Sequence, residues 1–540
     1  MPAVIIEQNM IEQDDLTAKQ KDYAIFLPAV SSFFATYIGK QRTSNYIDKT
    51  RMPAGIPDME MLNWLNPQQG LFPYRWSLYS AGHANLDVDK HVPKEDMIRN
   101  RDSNTIMLAD SGGFQIAKGV WPGRWNDPQD KKANQQRESV LKWQMSIATH
   151  GMTMDIPTWT YLDREAAAKC GIYSYDDAVN ATRYNNEFWM ANRYGDTKIL
   201  NVLQGSNHAE ADHWYDEMKG YCDPNKYPDR HFNGWGMGGQ NMCDVHLILK
   251  RLVHLIHDGL LETGVHDWMH FLGTSKLEWA LLLTDIQRAV RQYHNPNFTI
   301  SFDCASPFLA TANGLSYHTI VTDNLGKWSY LMEPTADNKK YATDNRSFRD
   351  AVIQDGIHVT FEDSPVSARL KIRDICIYKD GVRKTDAELA GVNFDFTNPD
   401  HYHVVPDLNK IDKIGRTSWD SFSYALLMAH NVWMHIESVQ RANRLYDQGQ
   451  APEMMVHPMN PDYNVRNIIQ RIFAARDRQR SLQIIDDHAK VWERVVGTRG
   501  FTGKRAVNAH SQFNMLFDFE ETIPAPEFDH AKLDELEESV

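Results

Sequence analysis

Cysteine is scarce in this chain: there are five in 540 residues, at 170, 222, 243, 304 and 376. The closest pair, Cys222 and Cys243, lies 21 positions apart. That spacing excludes a Cys-x-x-Cys metal or redox motif and argues against a disulfide framework. No apolar run approaches the roughly eighteen residues a bilayer crossing needs. The opening "MPAVIIEQNMIEQDD" lacks the basic start and apolar core of a secretory signal. A cytoplasmic, reducing location is therefore expected, with no membrane partner. A net positive charge is lacking too. The formal charge is −14, which excludes a uniformly basic nucleic-acid coat but not a local basic surface.

What is present is ordinary globular material, 42% hydrophobic and 24% charged, with 15 Trp and 22 Tyr. Charge is segregated along it. Residues 464–505 hold ten Lys/Arg, among them Arg476, Arg478 and Arg480, against four acids. The last 25 residues, 516–540, hold nine acids and one Lys.

Eight β-prone runs stand at 24–30, 75–82, 105–110, 152–157, 198–205, 234–239, 268–274 and 298–304. Helix-like stretches separate most of them. The clearest, 275–293, opens on a Ser-x-x-Glu capping box formed by Ser275 and Glu278. Eight strands alternating with helices predict an α/β fold, a (β/α)8 TIM barrel, with a doubly wound open sheet as the competing architecture. The barrel core is expected over 1–314 and an irregular, β-leaning insertion over 315–410. A mostly helical, partly basic C-terminal region follows at 411–515, with a long helix at 417–448, and then an acidic tail at 516–540.

Most of the predicted strands end on polar or small residues: Asp110-Ser111-Gly112-Gly113, Asp155, Gln204, Gly238-Gly239, Gly273 and Asp303. Barrel active sites sit at the carboxyl ends of strands, so this set marks a candidate mouth. In 298–304 side chains alternate faces. Thr299, Ser301 and Asp303 then share the axial side, and Cys304 joins Ile300 and Phe302 against the helices. The acid, not the thiol, is the expected reactive group. A carboxylate nucleophile suits substitution at an anomeric carbon, with Asp110 as general acid/base. Asp155 could accept the paired N–H groups of a guanine edge, while Gln204 and the Gly239 amide donate to its carbonyl and Phe114 stacks on it.

These residues, in this order, resemble the queuine/archaeosine tRNA-guanine transglycosylase family. The likeness is carried by "DSGGFQ" (110–115), "MDIP" (154–157), "VLQG" (202–205), "GMGG" (236–239), "FLG" (271–273) and "FDCASPFLATANG" (302–314), with an echo in "AHNVWMHIESVQRAN" (429–443). The resemblance implies a barrel that exchanges guanine in a nucleic acid for a 7-deazaguanine base such as 7-cyano-7-deazaguanine, without ATP. It makes Asp303 the nucleophile and Asp110 the acid/base. Asp155, Gln204 and Gly239 read the base, with Ser111, Gly112, Gly113, Gly238 and Gly273 beside them, and Phe114 and Leu272 pinch it.

Two departures bear on the substrate. Leu309 and Ala312 stand where bacterial tRNA-acting members carry two arginines that contact the anticodon loop, and neither side chain can replace those contacts. The family's zinc cluster of three cysteines and a histidine is absent as such. His430 stands at the histidine position, and Cys376, His401 and His403 are the residues available for a substitute. A packed helix with surface histidines is the preferred reading, so no metal site is expected. Together with the basic 464–505 segment, the departures fit the family's DNA-acting branch, found in bacterial genomic islands and viruses. DNA is then the expected partner, with Arg476, Arg478 and Arg480 on its backbone, and a homodimer is possible. A tRNA-directed exchanger, a non-catalytic nucleic-acid-binding subunit and an unrelated barrel glycosidase are the alternatives.

Overall fold

Short apolar runs, bounded by small and turn-forming residues, become eight strands in the computed structural model, which describes residues 13–44, 52–90, 96–350, 362–376, 419–460 and 462–495. They are β1 (Ile25–Pro28), β2 (Trp76–Ser80), β3 (Ile106–Asp110), β4 (His150–Met152), β5 (Lys198–Leu203), β6 (Gly234–Met237), β7 (Trp268–Phe271) and β8 (Thr299–Cys304). Every ladder is parallel, in the order β1-β8-β7-β6-β5-β4-β3-β2. The seam between β1 and β2 is spanned by a bridge from Ala29 to Leu78, and the Val30 amide donates to the Leu78 carbonyl at 2.9 Å. The sheet therefore curls into a nearly closed (β/α)8 barrel; the open doubly wound alternative is excluded.

Register partners in a parallel sheet point the same way, which fixes the inside of the barrel. Ser80 pairs with Asp110, and His270 with Ser301. At β6 the inward positions are Gly234 and Gly236, register partners of Trp268 and His270. A Cβ at Gly234 would run into the Trp268 carbonyl oxygen and stand 2.7 Å from the Leu200 side chain, so this close approach requires glycine.

Two sequence expectations are corrected. The fourth strand is His150–Met152, not 152–157. Beyond Met152 the chain leaves the ladder: the Asp155 amide bonds the Thr153 carbonyl, and Pro157 has no amide to give. Asp155 thus sits on a loop rather than on a strand. Helix Leu277–Tyr293 begins after Lys276, with no side-chain cap. Glu278 accepts instead from the Trp328 amide at 2.9 Å, so the tertiary partner takes the carboxylate that a capping box would have used.

After β8 the short helix Ser306–Ala312 leads into an antiparallel hairpin, β9 (Leu315–Thr322) and β10 (Trp328–Pro334). The long helix predicted at 417–448 is observed as Ser421–Asp447. It packs against Ser306–Ala312, Leu277–Tyr293, Ser32–Ser44, β1 and β9, taking the eighth place in the outer ring. The barrel core therefore does not end at 314. His430 on this helix is fully buried, not at the surface. Its Nδ1 meets the Ser364 hydroxyl at 2.8 Å and its Nε2 the Tyr317 carbonyl at 2.9 Å. Burial pushes its imidazole down to about 4. Cys376 is buried with its thiol on the Ala336 carbonyl at 3.1 Å. His401, His403 and the acidic tail lie outside the described residues. No described helix is long and apolar enough to cross a membrane.

Candidate functional site

The carboxyl ends of the strands surround a cavity of about 460 Å³. Asp110 from β3, Asp155 and Gln204 from the loops after β4 and β5, Gly238 and Gly239 after β6, Leu272 and Gly273 after β7, and Asp303 on β8 all line it, with Gly113 and Phe114. Ser111 and Gly112 stand behind this wall. Ser111 is fully buried, and Gly112 caps helix Gly113–Ala117 in a left-handed conformation, φ 81°. A side chain at Gly112 would also run into the ring of Trp121, so the turn that aims Phe114 at the cavity requires glycine.

Asp303 keeps 14% of its side chain exposed. Its Oδ1 accepts from the Gly273 amide at 2.9 Å and meets His270 Nε2 at 3.1 Å. Oδ2 has no protein partner among the described residues and is the oxygen left for a ligand. Asp110 accepts from the Ser80 hydroxyl at 2.6 Å and, weakly, from the Gly112 amide at 3.4 Å. Burial raises its carboxyl above the ordinary range, those two hydrogen bonds oppose the rise, and the Asp303 charge adds to it.

Asp155 is 5% exposed and accepts from Gln204 Nε2 at 2.7 Å. Burial pushes its carboxyl up to about 7, against the Gln204 hydrogen bond and with a contribution from the Asp110 charge. Gln204 Oε1 is buried with no partner among the described residues. At Gly239 the chain turns with φ 54°, and a Cβ there would stand 2.6 Å from the Gly205 carbonyl and 2.7 Å from that Oε1. Only glycine lets the two loops meet and leaves this amide face open.

The three acids, Gln204 and Phe114 are thus brought together as the sequence expects. Cys304 is buried. Its thiol points outward, 3.9 Å from His435 of helix Ser421–Asp447, and burial pushes it up to about 12. Leu309 lines the cavity rim, a leucine at the mouth where the two-arginine pattern would place a cation.

The structure does not bring Arg476, Arg478 and Arg480 to the mouth. Arg478 donates to Asp258 at 2.6 Å and to His254 Nδ1 at 2.9 Å, at the end of helix Val245–His257. Barrel helices run antiparallel to their strands, so that end lies beside the amino termini of the strands, opposite the cavity. Phe473 confirms the placement through His294, which follows helix Leu277–Tyr293 and bonds the Phe473 carbonyl at 2.9 Å. Arg476 and Arg480 are exposed there.

Sequence reasoning missed Ser80, His83, Trp159 and His270. Trp159 meets Phe114 edge-on, centroids 5.7 Å apart, and the Lys118 ammonium lies 5.6 and 5.4 Å from the two rings. His270 carried no signal, because in "WMHFLG" it reads as one polar residue inside a core strand. Among the described residues neither Lys nor Arg lines the cavity. Three carboxyl groups without a cation beside them favour a ligand rich in hydrogen-bond donors and disfavour a phosphate. Comparison with models of known protein families and with curated proteins finds no match.

Proposed function

We propose that this chain exchanges guanine in DNA for a 7-deazaguanine base through a covalent aspartyl-sugar intermediate. The observation that carries the reading is the meeting of Asp303, Asp110, Asp155 and Gln204, from four different strand ends, in one cavity that no Lys or Arg lines among the described residues. Asp155 accepts the N1 and exocyclic amine hydrogens of guanine, a pairing that adenine, with its bare N1, cannot make. The base takes over the contact that Gln204 makes with Asp155. Phe114 and Leu272 cover its faces.

Asp303 Oδ2 attacks C1′ as the C1′–N9 bond breaks, and the bonding pair leaves with the base. Asp110, whose carboxyl burial raises above the ordinary range, gives a proton to the departing guanine. The incoming 7-deazaguanine surrenders its N9 proton to Asp110 and attacks C1′, and the ester C–O pair returns to Asp303. Two inversions retain the β configuration and consume no cofactor. Phosphates stay outside this acidic cavity. At the rim, Lys118 over the Phe114 and Trp159 rings offers one cation and two aromatic surfaces to a flanking nucleotide. A DNA substrate must present its guanine flipped out of the stack. Leu309 at the rim favours DNA over an anticodon loop read by arginine.

The test is incorporation of labelled guanine into duplex DNA, single-stranded DNA and tRNA, alongside a denaturing gel for the covalent adduct. DNA labelling and an adduct that vanish in Asp303→Asn are expected. Labelling of tRNA alone would overturn the choice of DNA, and labelling that persists in Asp303→Asn would overturn the mechanism.

A further inference from the structure

We propose that His270 is a positioning residue for Asp303, held as one tautomer by a one-way chain of hydrogen bonds through the barrel interior; the proposal rests on the reading of Asp303 as the nucleophile. Trp268 Nε1 lies 2.7 Å from Ser301 Oγ, which lies 2.8 Å from His270 Nδ1. His270 Nε2 lies 3.1 Å from Asp303 Oδ1. Ser301 and His270 are both fully buried, so their hydrogen-bonding groups must be satisfied within this set.

The donors settle the direction. An indole N–H can only donate, so Trp268 fills one acceptor site on Ser301. Ser301 then sends its single proton to His270 Nδ1, the one acceptor beside it. That leaves the His270 proton on Nε2, facing Asp303. The opposite tautomer would set a bare Nε2 against a carboxylate oxygen. The doubly protonated ring would make Ser301 accept twice and strand its own proton in the core.

The chain therefore delivers a neutral N–H to Asp303. Together with the Gly273 amide it fixes Oδ1 by two neutral donors and turns Oδ2 toward the cavity. A neutral partner matters for the chemistry, because a cation beside the carboxylate would offset the negative charge that an oxocarbenium-like transition state requires.

The experiment has a spectroscopic and a kinetic arm, both on the full chain. In the first, the protein carries ¹⁵N-labelled histidine, and the His270 resonances are assigned by their loss in His270→Gln. An Nε2–H pattern is expected, with exchange between tautomers in Ser301→Ala. An Nδ1–H or doubly protonated pattern would overturn the proposal whether or not the protein exchanges bases.

In the second arm, His270→Phe keeps the ring and removes both nitrogens. It is expected to lower kcat on the order of 10- to 100-fold with KM for DNA little changed. His270→Gln, which returns a donor near the Nε2 position, is expected to recover most of that loss. Equal losses in the two variants, or a loss confined to KM, would overturn the positioning role. If the Nε2–H pattern holds but no variant exchanges guanine at all, the functional reading fails and the hydrogen-bond chain stands.

Discussion

Asp303 and Cys304 are adjacent, and the pleat sends one into the cavity and the other into the core. The thiol is inaccessible and held protonated by burial. Cys304→Ser is therefore expected to keep base exchange within a few-fold of the parent, in contrast to Asp303→Asn in the same assay.

Asp155 carries a pH signature of its own. Its carboxyl rises from the ordinary value of 3.8 to about 7 in the folded state. Between those values the folded protein holds a proton the unfolded chain has lost, so this residue's contribution to stability falls as pH rises through the window and levels off above it. Asp155→Asn is expected to gain ~1–3 °C in Tm at pH 8 and almost nothing at pH 4, while losing base binding. A larger gain at pH 4 would reverse the assigned cause. The acids were legible in the sequence because charged residues closing apolar runs are rare inside proteins. His270 was not, since its role depends on a register partner 31 positions away, Ser301.

At the level of elements, the strands read clearly where β-branched and aromatic residues alternate, as in β5 and β8. The fourth did not, because "MTMDIP" imitates a strand while the true one includes His150 and Gly151, poor signals for any ladder. The role of helix Ser421–Asp447 as the barrel's eighth helix was equally hidden: periodicity announces a helix but not its neighbours. Its anchoring can be tested. Asp285, on helix Leu277–Tyr293, is buried and accepts from Tyr446 at 2.9 Å and from Arg466 at 2.8 Å. Burial already pushes its carboxyl up to about 6, with Arg466 holding it down. Arg466→Met leaves that charge uncompensated and is expected to cost about 3–5 kcal/mol in urea unfolding at pH 8. The loss shrinks as pH falls toward 6, because without Arg466 the Asp285 carboxyl takes up its proton at a higher pH than in the parent, and Asp285→Leu in the same chain restores most of it. An Arg466→Met cost that is independent of pH would point to lost packing instead.

Over the whole molecule, the barrel has two chemically different ends, and charge counted along the sequence cannot distinguish them. The basic run containing Arg476, Arg478 and Arg480 is real, but its position is set by Arg478 reaching Asp258 at the end opposite the cavity. The acidic cavity and the exposed Lys118 share the other end. Counter-ion release responds to cations in contact with phosphate, not to the protein's total charge of −14. Charge reversals at the two ends should therefore behave differently. Lys118→Glu is expected to weaken binding of an oligonucleotide containing a flipped guanine and to flatten its salt dependence by a slope of about 1. Arg476→Glu with Arg480→Glu, which removes more positive charge but leaves the Arg478 ion pair intact, is expected to change neither. Fluorescence anisotropy at several salt concentrations reads both. If the pair at 476 and 480 proved the more damaging, the nucleic acid would have to wrap the flank of the barrel to its far end, and the mouth would be only one part of its track.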